Sequence, residues 1–206
     1  NEELIHVKRK FPNMKNPDEK LVLEDWLDGD FLDRLNQEHV NLVMKWLIEF
    51  QESTQNDELT DAEIDEEVRE VREEIMKINA MNELPYEFWL DEYKNELKKI
   101  KLIKTAVHGD FQLRNILIDK ELQKVNVIDW DWRFQEKGNP IYDFVWLATN
   151  IVMFSNNPEK EFLEYQKNGG KVKNSISIIK KMMENHFNTE FDLMKLQRFM
   201  IMRFIT

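Results

Sequence analysis

From Ala106 to Trp130 the chain drops the three- and four-residue apolar spacing of its flanks and reads as loop, strand, turn, strand. The strands are Asn115-Ile-Leu-Ile and Val125-Asn-Val-Ile-Asp, joined by a connector from Asp119 to Lys124. Almost everything else carries helical periodicity. A helical body with one embedded ribbon leaves few architectures open. The fold class read from it is α+β, mostly α, with a single small β-hairpin.

The flanks follow their periodicity. Leu21-Val22-Leu23 reads as a short buried strand. Asp30 is expected to cap a helix bearing Leu35, Leu42, Val43, Trp46, Leu47 and Phe50. The run from Asp57 to Glu74 holds ten acidic residues and two arginines. Ile64, Val68, Val71 and Ile75 thread through it at helical steps, so it predicts an amphipathic helix. After Pro85, Trp89, Tyr93, Leu97 and Ile100 form another stripe. Beyond Pro140 the pattern predicts helices at about 143–154, 158–167 and 171–186, the last two parted by Gly169-Gly170. Thr189 is expected to cap a final helix carrying Phe191, Met194, Phe199 and Met202.

The hairpin has consequences for chemistry. If Ile118 pairs with Val125 in an antiparallel ladder, Asn115 falls opposite Ile128, and Asp129 lies diagonally beside Asn115 at the open end. Asp110, five residues before Asn115, sits in a polar loop bent over that same end. An amide and two carboxylates then converge. Carboxylates so crowded repel unless a cation or a proton intervenes, and two hard oxygen ligands with open positions suit Mg²⁺ carrying phosphates.

Charge and composition narrow the partners. A net charge of −11 argues against a nucleic-acid partner, because a phosphate backbone needs a basic footprint. With no cysteine there are no disulfides or thiolate metal sites. The four histidines show no metal-ligand spacing. No apolar run reaches the ~20 residues that span a bilayer, and no secretory signal is visible. The default is a cytoplasmic protein with no membrane partner; oligomeric state is not legible.

The spacing matches the kinase template. There a catalytic-loop Asp accepts the substrate hydroxyl proton, an Asn five residues on holds metal, and a second Asp beyond the hairpin holds metal at the phosphates. His108-Gly109-Asp110-Phe111-Gln112-Leu113-Arg114-Asn115 gives H-G-D-x-x-x-x-N, and Val127-Ile128-Asp129-Trp130-Asp131 follows at hairpin distance. At typical residue frequencies the first motif alone arises by chance in roughly one chain of this length in a thousand.

At these residues the sequence resembles the aminoglycoside phosphotransferase and choline kinase superfamily, which has a protein-kinase-like fold. Ile116-Leu117, Ile128-Asp129-Trp130-Asp131 and Gly138-Asn139-Pro140-Ile141-Tyr142-Asp143-Phe144 carry the likeness, and Leu21 to Gly29 looks like the hinge between two lobes. The likeness covers residues 21 to 155. It implies an ATP-dependent phosphotransferase acting on a hydroxyl of an aminoglycoside, amino alcohol or sugar type of molecule. Asp110 would be catalytic, Asn115 and Asp129 would bind magnesium, and Glu24, Trp26, Leu117 and Ile128 would meet the nucleotide. His108 is expected to brace the loop, and Asp143 to act as a brace or helix cap. Trp130, Trp132 and Trp146 read as core or pocket wall rather than a stacking platform, and Asp131 as solvated or capping, with assistance to a metal ion as the alternative. The acidic segment reads as a solvated helix face; the alternative is that it receives a cationic acceptor, as acidic residues on the helical lobe do within the family.

Two parts of the template are missing. There is no G-x-G-x-x-G, no Gly before Gly29, and no Lys far enough upstream to pair with phosphates. The expectation is therefore that residues 1–29 are a remnant of the small lobe plus the hinge, and 30–206 the helical lobe, with the catalytic loop and hairpin at 105–131. On that expectation the chain alone is weakly active or inactive. The alternative function is a catalytically inactive kinase-like protein that binds a nucleotide or a partner.

Overall fold

The computed structural model of the protein describes residues 29–78, 85–119, 121, 123–130, 133–167 and 169–205. In chain order these form β1 (Asp30–Phe31), α1 (Gln37–Ser53), α2 (Asp61–Ile75), α3 (Tyr86–Leu97), β2 (Thr105–Val107) and β3 (Ile116–Asp119). Then come β4 (Lys124–Val127), β5 (Gln135–Gly138), α4 (Ile141–Met153), α5 (Pro158–Gln166), α6 (Lys173–Phe187) and α7 (Leu193–Ile205). A 3-10 turn at Leu113–Asn115 leads into β3. The fold is α+β and mostly α. The strand expected at Leu21 to Leu23 lies outside the described residues.

Helix starts depend on caps, and two differ from expectation. Asp30 does not cap α1; it lies in β1, paired with Ile118. The cap is Asn36, whose side chain accepts the Glu38 and His39 N–H groups. Leu35 therefore precedes the helix and is exposed, while Val40, Val43, Met44, Leu47 and Phe50 form the buried stripe. Thr189 does not cap α7 either. Its N–H closes α6 on the Glu184 carbonyl after left-handed Asn188, and Asp192 accepts the Met194 N–H at 3.2 Å instead. In both places a polar residue nearer the first buried turn takes the capping role.

Three helices follow their apolar pattern closely. Ile64, Val68, Val71 and Ile75 of α2 are all buried, and Thr60 with Glu63 forms a reciprocal capping box at its start. In α3 the buried face is Leu90, Tyr93 and Leu97; Trp89 is only half-buried, and Ile100 falls beyond the helix. The helix α4 is apolar nearly all round, as a helix covered on every side must be. It contacts α5, α6 and α7, and buries Phe144, Leu147, Ala148 and Ile151 completely. Each large side chain so buried contributes about 1.5–3 kcal/mol.

Among the described residues there are two small sheets rather than one hairpin. The ladder between β3 and β4 pairs Ile116 with Val127, Leu117 with Asn126 and Ile118 with Val125, the register the sequence implies. On the other side of β3, β1 adds a third antiparallel strand. A second ribbon pairs β2 with β5. It escaped the sequence because β5 reads Gln-Glu-Lys-Gly and shows no apolar alternation. Ile116, Ile118 and Val125 join the helical core, whereas Leu117 pairs with exposed Phe31 on the opposite face. Among the described residues no helix is long and apolar enough to cross a membrane.

Candidate active site

The loop leaving β2 must reverse within two residues. Gly109 takes φ +80°, and a Cβ there would lie 2.3 Å from the Arg133 carbonyl oxygen, so only glycine fits the turn. Asp143, in the first turn of α4 and fully buried, holds that turn. Its carboxylate accepts the His108 N–H at 2.8 Å and the Gly109 N–H at 3.0 Å. Burial pushes the Asp143 carboxyl above its ordinary range, while His108 nearby and the two N–H donors oppose that rise.

The tautomer of His108 follows from its partners. Its Nδ1 accepts the Asp110 N–H at 3.2 Å, so Nε2 carries the proton and donates to the Ile128 carbonyl at 2.9 Å. The imidazole thus joins the loop to the strand that ends just before Asp129. Its ring lies 4.6 Å from that of Trp130, whose N–H donates to Val127.

Four donors surround the carboxylate of Asp110, a residue 7% exposed. Oδ2 accepts from Gln112 Nε2 at 2.8 Å and Asn115 Nδ2 at 3.3 Å. Oδ1 accepts from Trp146 Nε1 at 3.1 Å and pairs with Arg133 Nη1 at 3.3 Å. Asn115 Nδ2 also donates to the Asp110 carbonyl at 2.9 Å. The amide N–H₂ of Asn115 therefore faces Asp110, and its Oδ1 takes no hydrogen bond among the described residues.

Asp129 is reached through a tethered neighbour. The Ile128 N–H donates to the Asn115 carbonyl at 2.9 Å, extending the β3–β4 ladder by one pair. In a continuing strand Asp129 would then alternate onto the buried face. Instead it adopts φ +62° and is exposed. Left-handed backbone at a non-glycine residue costs on the order of 1–3 kcal/mol and concentrates at functional sites. Its carboxylate has no ion pair or hydrogen bond among the described residues.

The structure thus joins Asp110 to Asn115 directly and holds Asp129 one residue beyond a strand position tied to both Asn115 and His108. No group of three or more His, Cys, Asp or Glu among the described residues is placed to hold a metal. The donors at hand are an uncommitted amide oxygen and an uncommitted carboxylate, a hard-oxygen set that fits Mg²⁺ with phosphate oxygens completing its shell. Leu117 and Ile128 share the ladder face that looks away from the helical core, by the pairing of 117 with 126 and 115 with 128. Glu24, Trp26, Asp131 and Trp132 lie outside the described residues.

Sequence reasoning missed three partners of Asp110. Trp146 was readable: it follows Asp143 by three residues, so one helix face presents both the loop brace and the indole donor. Gln112 and Arg133 carried no periodic signal. Beside Asp110, Gln112 and Trp146 form one wall of a cavity of about 560 Å³, closed by Thr149, Asn150, Phe154 and Ile201. The acidic helix α2 does not line it. Its carboxylates are engaged elsewhere: Asp65 with Lys94 at 2.6 Å, Glu63 with Lys104 at 2.6 Å, and Glu67 with Tyr93 and Arg203.

Comparison with known proteins adds the following. The family model described as phosphotransferase enzyme family matches residues 25–174. Among solved structures, the choline kinase LicA from Streptococcus pneumoniae is similar at 16% identity and a TM-score of 0.44, over 85% of this chain and 60% of that one. This chain thus spans less than two thirds of that protein's length. No curated protein matches significantly. With well over half of its residues matched by one family model, the chain belongs to the phosphotransferase enzyme family.

Proposed function

We propose that the protein transfers the γ-phosphoryl group of ATP to a hydroxyl group of a small molecule. Asp110 is the catalytic residue in this reading. It orients the acceptor O–H and takes its proton as the oxygen bonds to the γ-phosphorus; the bond to the β–γ bridging oxygen breaks, and ADP leaves with the electron pair. Trp146, Gln112 and Arg133 are positioning residues that hold the Asp110 carboxylate at one angle. Bound magnesium supplies charge neutralisation across the phosphates, and Asn115 Oδ1 with the Asp129 carboxylate are the groups that would hold it. Leu117 and Ile128 form the apolar floor under adenine, with Glu24 and Trp26 at its edge. Residues 30–206 act as the helical lobe, and the segment ending at Gly29 as its hinge.

The observation that carries this reading is the contrast between committed and uncommitted oxygens. Asp110 is held in place by four donors, whereas Asn115 Oδ1 and the Asp129 carboxylate take no hydrogen bond or ion pair among the described residues. Thermal unfolding of the intact protein tests it. Mg·ATP is expected to raise the midpoint by several degrees, and Asp129→Ala to abolish the magnesium-dependent part. Asp110→Asn should keep that protection and lose about 10²–10⁴-fold in phosphoryl transfer. Protection by Mg·ATP that survives Asp129→Ala intact would sink the metal assignment.

A further inference from the structure

Two donors sit on each oxygen of the Asp110 carboxylate: Gln112 and Asn115 on Oδ2, Trp146 and Arg133 on Oδ1. A carboxylate has about four lone-pair directions in all. An acceptor O–H that hands its proton to Asp110 needs one of those places, so one donor has to give way. Asn115, Gln112 and Trp146 are fixed by other means. Asn115 Nδ2 is tied to the Asp110 carbonyl as well, at 2.9 Å. The Gln112 N–H donates to that same carbonyl at 2.8 Å, which keeps its side chain beside Asp110. Trp146 belongs to α4 and stands between buried Val145 and Leu147.

Arg133 differs from them. Among the described residues it is the one Lys or Arg paired with a carboxylate of the site, at 3.3 Å; the Arg114 guanidinium lies over the Phe154 ring instead. The Arg133 side chain is 33% exposed, whereas its main chain is pinned, because its carbonyl oxygen lies 2.3 Å from where a Cβ on Gly109 would stand. Motion at this residue therefore belongs to the side-chain torsions. Arg133 also follows Asp129 by four residues and precedes β5 by two, so it borders the phosphate end of the site. In the phosphotransferase reading the acceptor oxygen lies about 3 Å from Asp110 and the γ-phosphorus about 3–3.5 Å beyond it. The phosphoryl group thus arrives roughly 6 Å from the carboxylate that Arg133 now holds, a distance that rotation of an arginine side chain spans. Its oxygens offer the planar guanidinium a bidentate partner with more charge than a carboxylate.

We infer that the Arg133 guanidinium exchanges between two anionic partners, Oδ1 of Asp110 and the γ-phosphate of bound ATP, and that only its move to the phosphate opens a place on Asp110 for the acceptor hydroxyl. No covalent bond changes in this exchange; one ion pair replaces another. Arg133 is a positioning residue in the first state and a phosphate contact in the second. Access to the base then depends on the nucleotide, and ADP, which lacks the γ-phosphate, leaves Arg133 on Asp110. This rests on the phosphotransferase reading, and it adds a nucleotide-controlled switch to it.

Calorimetric binding of Mg·ATP and Mg·ADP to the intact protein, with no acceptor present, tests the exchange. Arg133→Met, which removes the fork and keeps an apolar stem, is expected to weaken Mg·ATP about tenfold and Mg·ADP less than about twofold. Asp110→Asn, which leaves the guanidinium no carboxylate to quit, is expected to tighten Mg·ATP several-fold. Most of that tightening should disappear when Asp110→Asn is combined with Arg133→Met, because only the effect of one fewer negative charge then remains. An equal change with and without Arg133 overturns the inference. So does Mg·ATP affinity that Arg133→Met leaves unaltered, or a loss as large for Mg·ADP. If the melting curve shows that the Met variant does not fold, Arg133→Lys takes its place. A point charge without the fork, it should weaken Mg·ATP several-fold and spare Mg·ADP, and unaltered Mg·ATP binding again overturns the inference. Wild-type protein that binds neither nucleotide counts against the phosphotransferase reading and removes the switch with it. Wild-type binding that none of these variants changes counts against the switch alone.

Discussion

Asp143 touches no part of the cavity, yet the geometry of the site passes through it. Its two oxygens fix the N–H groups of His108 and Gly109, His108 passes that constraint to Asp110 and Ile128, and Ile128 sets where Asp129 begins. A buried carboxylate is tolerated there because both oxygens are satisfied. Replacing it by an amide keeps one acceptor and turns an N–H₂ toward a backbone N–H. Asp143→Asn is therefore expected to cost about 1–3 kcal/mol, read from urea unfolding, and to lower phosphoryl transfer although no reacting group is changed. An unchanged unfolding midpoint would mean that the loop does not depend on this brace.

At the level of single elements, α2 shows how a highly charged segment remains a good helix. Its acidic residues pair both within the helix, as Glu66 and Glu73 do with Arg69, and across to other elements, as Asp65 does with Lys94 and Glu67 with Arg203, and its first turn is closed by Thr60 and Glu63. The Lys104 ammonium hydrogen-bonded to Glu63, together with the Thr60 N–H and hydroxyl, holds the Glu63 carboxyl down to about 2 from its ordinary 4.5. A depressed acid stabilises the fold above its unfolded value, and that stability is lost as pH falls from about 4.5 toward 2. Glu63→Gln keeps the capping hydrogen bond but removes the titration. Its urea midpoint should lie slightly below wild type at pH 6, by about 1 kcal/mol or less given solvent screening, and should converge with wild type near pH 2. A constant gap across that range would assign the effect to packing instead.

Across the whole molecule, α4 ties site and scaffold together. One end carries Asp143 and Trp146 to the loop; its sides meet α5, α6 and α7. Near its other end the Ile151 carbonyl accepts from Arg34 Nη1 at 2.6 Å, while Ser175 of α6 donates to the Arg34 carbonyl at 2.6 Å. Stability and site geometry are thus one property. Leu147→Ala, which empties a fully buried position in the middle of α4, should cost about 2–5 kcal/mol. If the cavity it leaves also loosens Trp146, the rise in melting temperature with saturating Mg·ATP will be smaller in the variant than in wild type. Equal increments would show that the packing defect stays local.

Residue order alone determined the helical body, the ladder register and the candidate set Asp110, Asn115 and Asp129, because these follow from short-range rules: a period of 3.6 or 2, and a fixed spacing through a tight hairpin. Tertiary structure decided what short-range rules leave open. Asp30 became strand rather than cap because β3 offered it a partner across almost ninety residues of chain. The β2–β5 ribbon formed without apolar alternation because its residues complete each other's backbone hydrogen bonds. Arg133 and Trp146 reached Asp110 from positions distant in the chain, and the cavity beside Gln112 and Trp146 exists only where α4 and α7 stop filling the space between them. Periodicity records how a segment meets its own neighbours; which distant side chain completes a carboxylate's shell depends on how whole elements pack, and no local pattern encodes that.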